Sequence, residues 1–167
     1  MKHMRLNQDE QRDFLAELAS MADFLEQSFA TLPASELTRS GANGSFSPIE
    51  HIWHLADLER QGFAERIRRL QQELCPHLED FAGGRIAREG HYKQRSREQG
   101  IAAFRSTREA NLQRLRDLSN EQWLRRGTQQ GVGPVAMCDM PSLMAEHDDS
   151  HRDEINRWLH DSVKGHE

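Results

Sequence analysis

Residues 47–59 read SPIEHIWHLADLE, and this stretch holds the clearest start of a helix in the chain. Ser47 supplies an N-cap oxygen, Pro48 suits the first helical position, and Glu50 completes a capping box. Apolar residues then recur along one side, and Cys75-Pro76 marks the predicted end. This stripe comprises Ile52, Ala56, Phe63, Ile67 and Leu70. The sequence therefore predicts a long amphipathic helix that begins at residue 48.

Three further segments carry helical periodicity. From Asp9 to Leu32, apolar residues recur in steps of four and three, and Pro33 ends the pattern. Ser96 is placed to cap a third helix. The inner face of that helix carries Ile101, Phe104, Leu112, Leu115 and Leu118. The last helix is predicted from about Asp139 to about His160. Its inward seam is Met140, Met144, His147, His151, Glu154 or Ile155, and Trp158.

Two stretches rich in glycine or proline separate these helices. Residues 76–95 contain Gly83-Gly84 and Gly90, and a loop of this length inside a compact domain is often a lid or a binding segment. Residues 127–134, which read GTQQGVGP, predict a second loop. A short helical turn is predicted just before it, at residues 119–124.

The composition favours helix over strand, because Leu, Glu, Arg, Ala and Gln are abundant and there is one tyrosine. Four long helices without a strand signal predict an all-α four-helix bundle. The length of 167 residues fits one domain, 1–167, with its core at about 9–160.

The distribution of charge argues against a nucleic-acid partner. The formal net charge is -5, and lysine and arginine are scattered among acidic residues instead of forming a basic stripe. No run approaches the roughly 20 apolar residues that span a bilayer, so no membrane partner is expected. The two cysteines, Cys75 and Cys138, show no metal-binding spacing, and residues 1–9 lack the apolar segment of a signal peptide. These features predict a cytoplasmic protein.

Two of the nine histidines, His147 and His151, fall on the inward seam of the last helix. Burying an imidazole without a partner costs on the order of 1–3 kcal/mol, and this seam does so in two successive turns. Side chains four residues apart on a helix lie close enough to share one metal ion, and neutral imidazole is a common ligand for zinc and nickel. The alternative is a pair of core histidines bonded to carboxylates such as Glu50, Asp57 or Glu154.

A metal site would need a third ligand from elsewhere in the fold. The second helix offers His51 and His54, and helical periodicity does not choose between them. His77 and His91 lie in the predicted loop 76–95, either as lid residues or as solvated side chains, and the solvated reading is favoured.

Residues 47–59 and the last helix resemble elements of the DinB/YfiT-like superfamily. Residues 47–59 match its S-x-x-E-x-x-x-H-L-A-D-x-E element, and residues 147–151 match its H-x-x-x-H element. Residues 103–119, Trp123 and Tyr92 resemble the family's third helix and its flanks, so the resemblance covers about residues 10–160. It implies a four-helix bundle with up-down-down-up connectivity, commonly dimeric, and a divalent metal ion such as zinc or nickel. The implied ligands are His54, His147 and His151.

Two functions are compatible with such a site. The first is a metal-dependent enzyme that acts on a small molecule, either transferring a low-molecular-weight thiol or hydrolysing a bond. Glu50 and Asp57 could then orient a ligand imidazole, although solvated carboxylates are the simpler interpretation. The second is a non-catalytic metal- or ligand-binding protein of a stress response, because the sequence shows no identifiable nucleophile or general base.

Overall fold

A computed structural model of the chain describes residues 8–164, and helices make up most of it. In chain order they are α1 (Gln8–Phe29), α2 (Ala34–Leu37), α3 (Pro48–Asp57), α4 (Ala64–Gln72), α5 (Gly83–Glu89), α6 (Arg97–Arg116), α7 (Asn120–Trp123) and α8 (Met140–Lys164). A π-helical turn, Leu58–Phe63, joins α3 to α4 in one long helix. Within the described residues, no helix has both the length and the apolar character needed to cross a bilayer.

The predicted helix starts are present. The backbone amide of Ser47 and its hydroxyl both donate to a carboxylate oxygen of Glu50, at 2.9 and 2.7 Å, so the capping box at the start of α3 is formed. The Ser96 hydroxyl accepts from the backbone amide of Gln99 at 3.2 Å and caps α6. Each cap satisfies a donor that the first helical turn would otherwise leave without a partner.

The second long helix differs from the uniform helix that the sequence predicts. Its π-helical turn contains one more residue per hydrogen-bonded turn than an α-helix does. The Glu59 carbonyl accepts from the backbone amide of Ala64 and also from the side-chain amide of Asn111 on α6, at 3.2 Å. The turn thus occurs where the side chain and the carbonyl of Glu59 both contact α6.

Contacts along the four long helices give their directions. Arg97 donates to the carbonyl of Phe29 at the end of α1, whereas Arg108 reaches the carbonyl of Leu18, so α6 runs antiparallel to α1. The Trp53 indole donates to the carbonyl of Ser96, and Asn111 donates to Glu59, so α6 runs parallel to α3. His51 and His54 face His151 and His147 respectively, so α8 runs antiparallel to α3. The connectivity is therefore up-down-down-up, as the family resemblance implies.

A small sheet corrects the sequence prediction, which contained no strand. It consists of β1 (His77–Leu78), β2 (Arg126–Gln129) and β3 (Gly133–Ala136), with β1 parallel to β2 and β2 antiparallel to β3. The glycine-rich stretch 127–134 is therefore mostly a hairpin, and its turn uses Gly131 with a φ of +77°. Segments of two to four residues are too short to show the alternation by which a strand is recognised.

The core consists of two apolar clusters with a polar layer between them. The first cluster lies around Leu18, Phe63 and Met144, and the second around Leu25, Ile52 and Ile155. Seven of the buried polar residues lie along the long helices between the positions of the two clusters: His54, Asp57, Glu59, Arg108, Asn111, Asp148 and His151. Because buried polar groups are costly unless paired, this layer is where a function is expected.

Candidate metal centre

The structure brings the three predicted side chains together. His54 extends from α3, and His147 and His151 extend from successive turns of α8, which faces α3. His54 and His151 are buried, and His147 is half-buried. On the seam of α8, Ile155 continues the buried face, whereas Glu154 is half-exposed. Antiparallel packing of α3 and α8 therefore places three imidazoles at one point between the helices.

The separations of the three rings fit a shared metal ion. One ligand nitrogen from each ring can be chosen so that all three lie within 4.8 Å of one another. The Nε2 atoms of His54 and His147 are 3.3 Å apart. Two nitrogens that each lie roughly 2.0–2.1 Å from a tetrahedral zinc ion are separated by about 3.3 Å, whereas an N–H···N hydrogen bond is usually shorter. This group could hold a metal ion.

Burial keeps these imidazoles neutral. It lowers the pKa of His54 from 6.5 to about 4, although the nearby Asp57 carboxylate opposes the shift. Burial, with smaller contributions from neighbouring rings, lowers the pKa of His147 to about 3 and that of His151 to about 2. A metal ion binds the neutral ring, so the donors are in the required state at pH 7.

Two ring nitrogens in the group have no hydrogen-bond partner. Nδ1 of His54 and Nδ1 of His147 are buried, and neither makes a hydrogen bond with the described residues. Each neutral ring carries one N–H and one lone pair. If the N–H of each ring is on Nδ1, the Nε2 lone pairs of His54 and His147 point at each other. Two lone pairs facing each other repel unless a cation lies between them. The donor set therefore fits a divalent metal ion.

A fourth imidazole, His51, lies beside the group. Its Nδ1 is 2.8 Å from Nδ1 of His151, and burial lowers its pKa to about 3. Helical periodicity left His51 and His54 as alternatives for the third ligand. The structure shows that both rings face α8, with His54 next to His147 and His51 next to His151. The two histidines are distinguished only by which residue of α8 each one faces.

The carboxylates proposed to orient the imidazoles are used elsewhere. Glu50 accepts from Ser47 in the capping box, and Asp57 accepts from the Tyr92 hydroxyl at 2.7 Å. Asp57 is also buried, so it is not the solvated carboxylate that was the simpler interpretation. Neither carboxylate therefore takes up the candidate role of orienting a ligand imidazole, because Glu50 is directed at the cap and Asp57 at the segment before α6.

Residues 76–95, predicted as a loop, contain short elements of regular structure and contact His54. They contain β1, α5 and a short 3-10 turn at residues 92–94. The Phe81 ring contacts His54 edge-on, with centroids 5.8 Å apart, and the backbone of Gly83 lies against the same imidazole. His77 and His91 are exposed, as favoured for them, and His77 lies 3.0 Å from the Thr128 hydroxyl.

Substituting Gly83 with alanine should weaken metal binding by about tenfold or more, as other changes to the groups around a ligand do. A Cβ atom at this position would lie 2.6 Å from Cε1 of His54, so the ring must move. Gly84→Ala is the matched control, because the nearest atom to its Cβ is a terminal nitrogen of Arg88 at 3.6 Å. Zinc affinity measured by chelator competition checks this result. Equal affinities for the two variants would contradict it.

The metal-free protein should lose stability as the pH falls below about 6.5. In the unfolded chain these four histidines take up protons near 6.5, whereas burial holds their folded pKa values at about 4 or below. The stability that the four neutral rings contribute is therefore fully present above pH 6.5 and declines as the pH falls towards 4. Urea unfolding with a chelator, at about pH 7.5, 6 and 5, measures this.

Two substitutions show whether the decline comes from the buried rings. The pH dependence should shrink in His151→Leu, which removes a buried ring, and persist in His160→Gln, which changes an exposed one. An unfolding free energy that stays constant from about pH 7.5 to pH 5 would contradict the prediction that the four buried histidines make stability depend on pH.

A cavity leads to the histidines from the surface. Its volume is about 660 Å³, within the range of small-molecule sites, and both His54 and His151 line it. The other walls come from residues 41–46 and from the exposed side of α8. The cavity carries both signs of charge, from Arg39, Arg157, Glu154 and Asp161.

A buried ion network lies next to the site. The Arg108 guanidinium donates to both carboxylate oxygens of Asp148, at 2.6 and 3.0 Å, and lies 2.9 Å from the Glu59 carboxylate. Asn111 donates to Glu59 at 2.8 Å. Burial raises the pKa of Glu59 and of Asp148, and the Arg108 charge opposes both shifts. Asp148 follows His147 directly, so the network also fixes this turn of α8.

Comparison with known proteins supports the fold and the family. YfiT from Bacillus subtilis, described as a probable metal-dependent hydrolase with an unusual four-helix bundle topology, superposes with a TM-score of 0.88. The match covers 98% of this chain and 93% of YfiT at 15% sequence identity, so it establishes a shared fold. No curated protein matches the sequence significantly. The DinB superfamily model matches residues 17–155. The chain therefore belongs to the DinB superfamily.

Proposed function

We propose that this protein is a metal-dependent enzyme that acts on a small polar molecule, by hydrolysis or by transfer of a low-molecular-weight thiol. The proposed ligands are His54, His147 and His151, and the proposed metal is zinc or nickel. The neutral state of the three rings and their separations support this assignment. The description of YfiT as a probable metal-dependent hydrolase is consistent with it.

The observation that carries the proposal is the cavity of about 660 Å³ that reaches His54 and His151. A metal ion held only for structure needs four protein ligands and no access, whereas three ligands beside a cavity leave a position for a substrate. A divalent ion held by three neutral imidazoles supplies Lewis acidity, which acidifies water or a thiol and polarises a carbonyl.

The side chains around the cavity are suited to binding and orienting a polar substrate. The Arg39 guanidinium stacks on the Trp158 ring at 4.4 Å, and the Trp158 indole donates to the carbonyl of Arg39 at 3.0 Å. This pairing makes one wall rigid. Arg157 offers an exposed cation, and Glu154 and Asp161 offer carboxylates, so a substrate with both an acidic and a basic group fits the cavity.

Turnover assays with metal-loaded protein test the proposal. Activity is expected with ester or amide substrates if the enzyme hydrolyses, and with a reduced thiol plus an electrophilic acceptor if it transfers. Either activity should disappear on chelation, return on adding metal, and be absent in His147→Ala. His91→Ala, which changes an exposed histidine outside the group, is the control that should retain activity.

A metal-loaded protein without turnover in either panel would overturn the enzymatic proposal and favour a non-catalytic metal- or ligand-binding protein. A protein without metal by elemental analysis, whose melting temperature is unchanged by chelator, would overturn the metal site itself. The homodimer that the family resemblance implies stays a prediction, to be checked by light scattering.

A further inference from the structure

His51, beside the three candidate ligands, makes a short contact with one of them, His151. It is 1% exposed, and its Nδ1 lies 2.8 Å from Nδ1 of His151, with the two rings nearly perpendicular at 83°. That distance is typical of an N–H···N hydrogen bond. It is shorter than the 3.3 Å between Nε2 of His54 and Nε2 of His147. The two histidine pairs therefore differ in kind.

A hydrogen bond between two Nδ1 atoms requires one ring to donate and the other to accept. Because Nδ1 of His151 is occupied by this bond, Nε2 is the atom it can offer to a metal. A coordinating Nε2 carries no proton, so the N–H of His151 must be on Nδ1. His51 must then accept at Nδ1 and carry its own proton on Nε2.

Glu154 favours this arrangement from the other side of His51. Its carboxylate oxygen is 3.9 Å from Nε2 of His51, too far for a hydrogen bond but close enough for its charge to favour a proton at Nε2. Glu154 is half-exposed and lines the cavity. A series of contacts thus runs from the cavity wall through His51 to His151.

We propose that His51 is a positioning residue: it selects, through its hydrogen bond, the form of His151 that offers Nε2 to the metal ion, and it holds that ring in place. The inference rests on the proposed metal site. Metal-binding histidines commonly donate their second N–H to an outer partner that fixes the ring, and here the partner is another imidazole.

The same atoms could instead bind a second ion, since His51, His151 and Glu154 also offer ligand atoms within 4.8 Å of one another. The hydrogen bond favours the positioning role, because 2.8 Å is shorter than the separation of about 3.3 Å expected for two nitrogens on one tetrahedral ion. One metal ion per chain is therefore expected.

Nitrogen NMR of the zinc-loaded protein tests the proposal directly, because long-range proton–nitrogen correlations show which ring nitrogen carries the proton. The expected spectrum has the proton of His51 on Nε2 and that of His151 on Nδ1. A His51 ring protonated at Nδ1 would overturn the inference. Two zinc ions per chain, with the second lost in His51→Phe, would overturn it in favour of a second metal site.

Two substitutions separate positioning from a structural role. His51→Phe keeps a ring but removes the acceptor, and it should weaken zinc binding by about 10–100-fold while the metal-free protein stays folded. His51→Asn places an amide oxygen near the position of Nδ1 and should recover most of the affinity. Unchanged zinc affinity in His51→Phe would overturn the inference alone. A parent protein that binds no zinc would overturn the proposed metal site and this inference together.

Discussion

Replacing His147 with alanine should weaken zinc binding by more than about 100-fold while the bundle stays folded. The loss should exceed the 10–100-fold effect of removing an outer partner, because a ligand itself is removed. The Nε2 atom of His147 lies 3.3 Å from Nε2 of His54, and its Nδ1 has no hydrogen-bond partner among the described residues. Zinc titration against a chelator of known affinity measures the change.

The same variant should bind zinc more weakly than the parent and yet, without metal, be no less stable. Without metal, His147→Ala should be at least as stable as the parent at pH 7, because the substitution removes a buried nitrogen without a partner. With zinc present, the parent should gain stability and the variant should not. His91→Ala should follow the parent in both conditions. A variant that binds zinc as tightly as the parent would show that His147 is not a ligand.

The sequence predicts the long helices well because their starts are local. The capping box at Ser47 and the cap at Ser96 depend on residues within one helical turn, and both are present in the structure. The same holds for the position of His151, which follows from the spacing of Met144 and Trp158 on one helix face. These predictions need no knowledge of what packs against each helix.

What the sequence does not predict depends on contacts between distant segments. The small sheet pairs His77 with Thr128 across about fifty residues, and the π-helical turn coincides with a contact between Glu59 and Asn111 of α6. The cradle formed by Phe81 and Gly83 becomes visible only when α5 is placed against α3. A short segment that acquires its structure from a remote partner carries little periodicity of its own.

The choice between His51 and His54 as the ligand from α3 also depends on a contact between distant segments. His51 and His54 are three residues apart on one helix face, so no property of α3 alone distinguishes them. The family resemblance implies His54 as the ligand, and the structure places His54 beside His147 and His51 beside His151. The hydrogen bond that gives His51 a separate role joins residues 100 positions apart, and no local pattern predicts it.

Replacing Arg108 with methionine should lower the free energy of unfolding by about 3–5 kcal/mol, the usual cost of removing one partner from a buried ion network. Arg108, Glu59 and Asp148 have side chains 2%, 1% and 5% exposed, so the two carboxylates would remain buried without a counter-charge. Chemical denaturation at pH 7 measures the change. The matched control is Arg105→Met on the same helix, whose ion pairs with Asp23 and Glu26 are at the surface and should contribute less than about 1 kcal/mol.

The pH dependence of this loss identifies its cause. Without the arginine, burial should raise the folded pKa values of Glu59 and Asp148 still further, so these carboxyl groups become neutral at a higher pH in the folded state than in the unfolded chain. The stability difference between Arg108→Met and the parent should therefore shrink as the pH falls, and adding Glu59→Gln with Asp148→Asn should recover part of it at pH 7. A difference independent of pH, and equal to that of Arg105→Met, would mean that Arg108 acts through packing on Phe104 instead of through its charge.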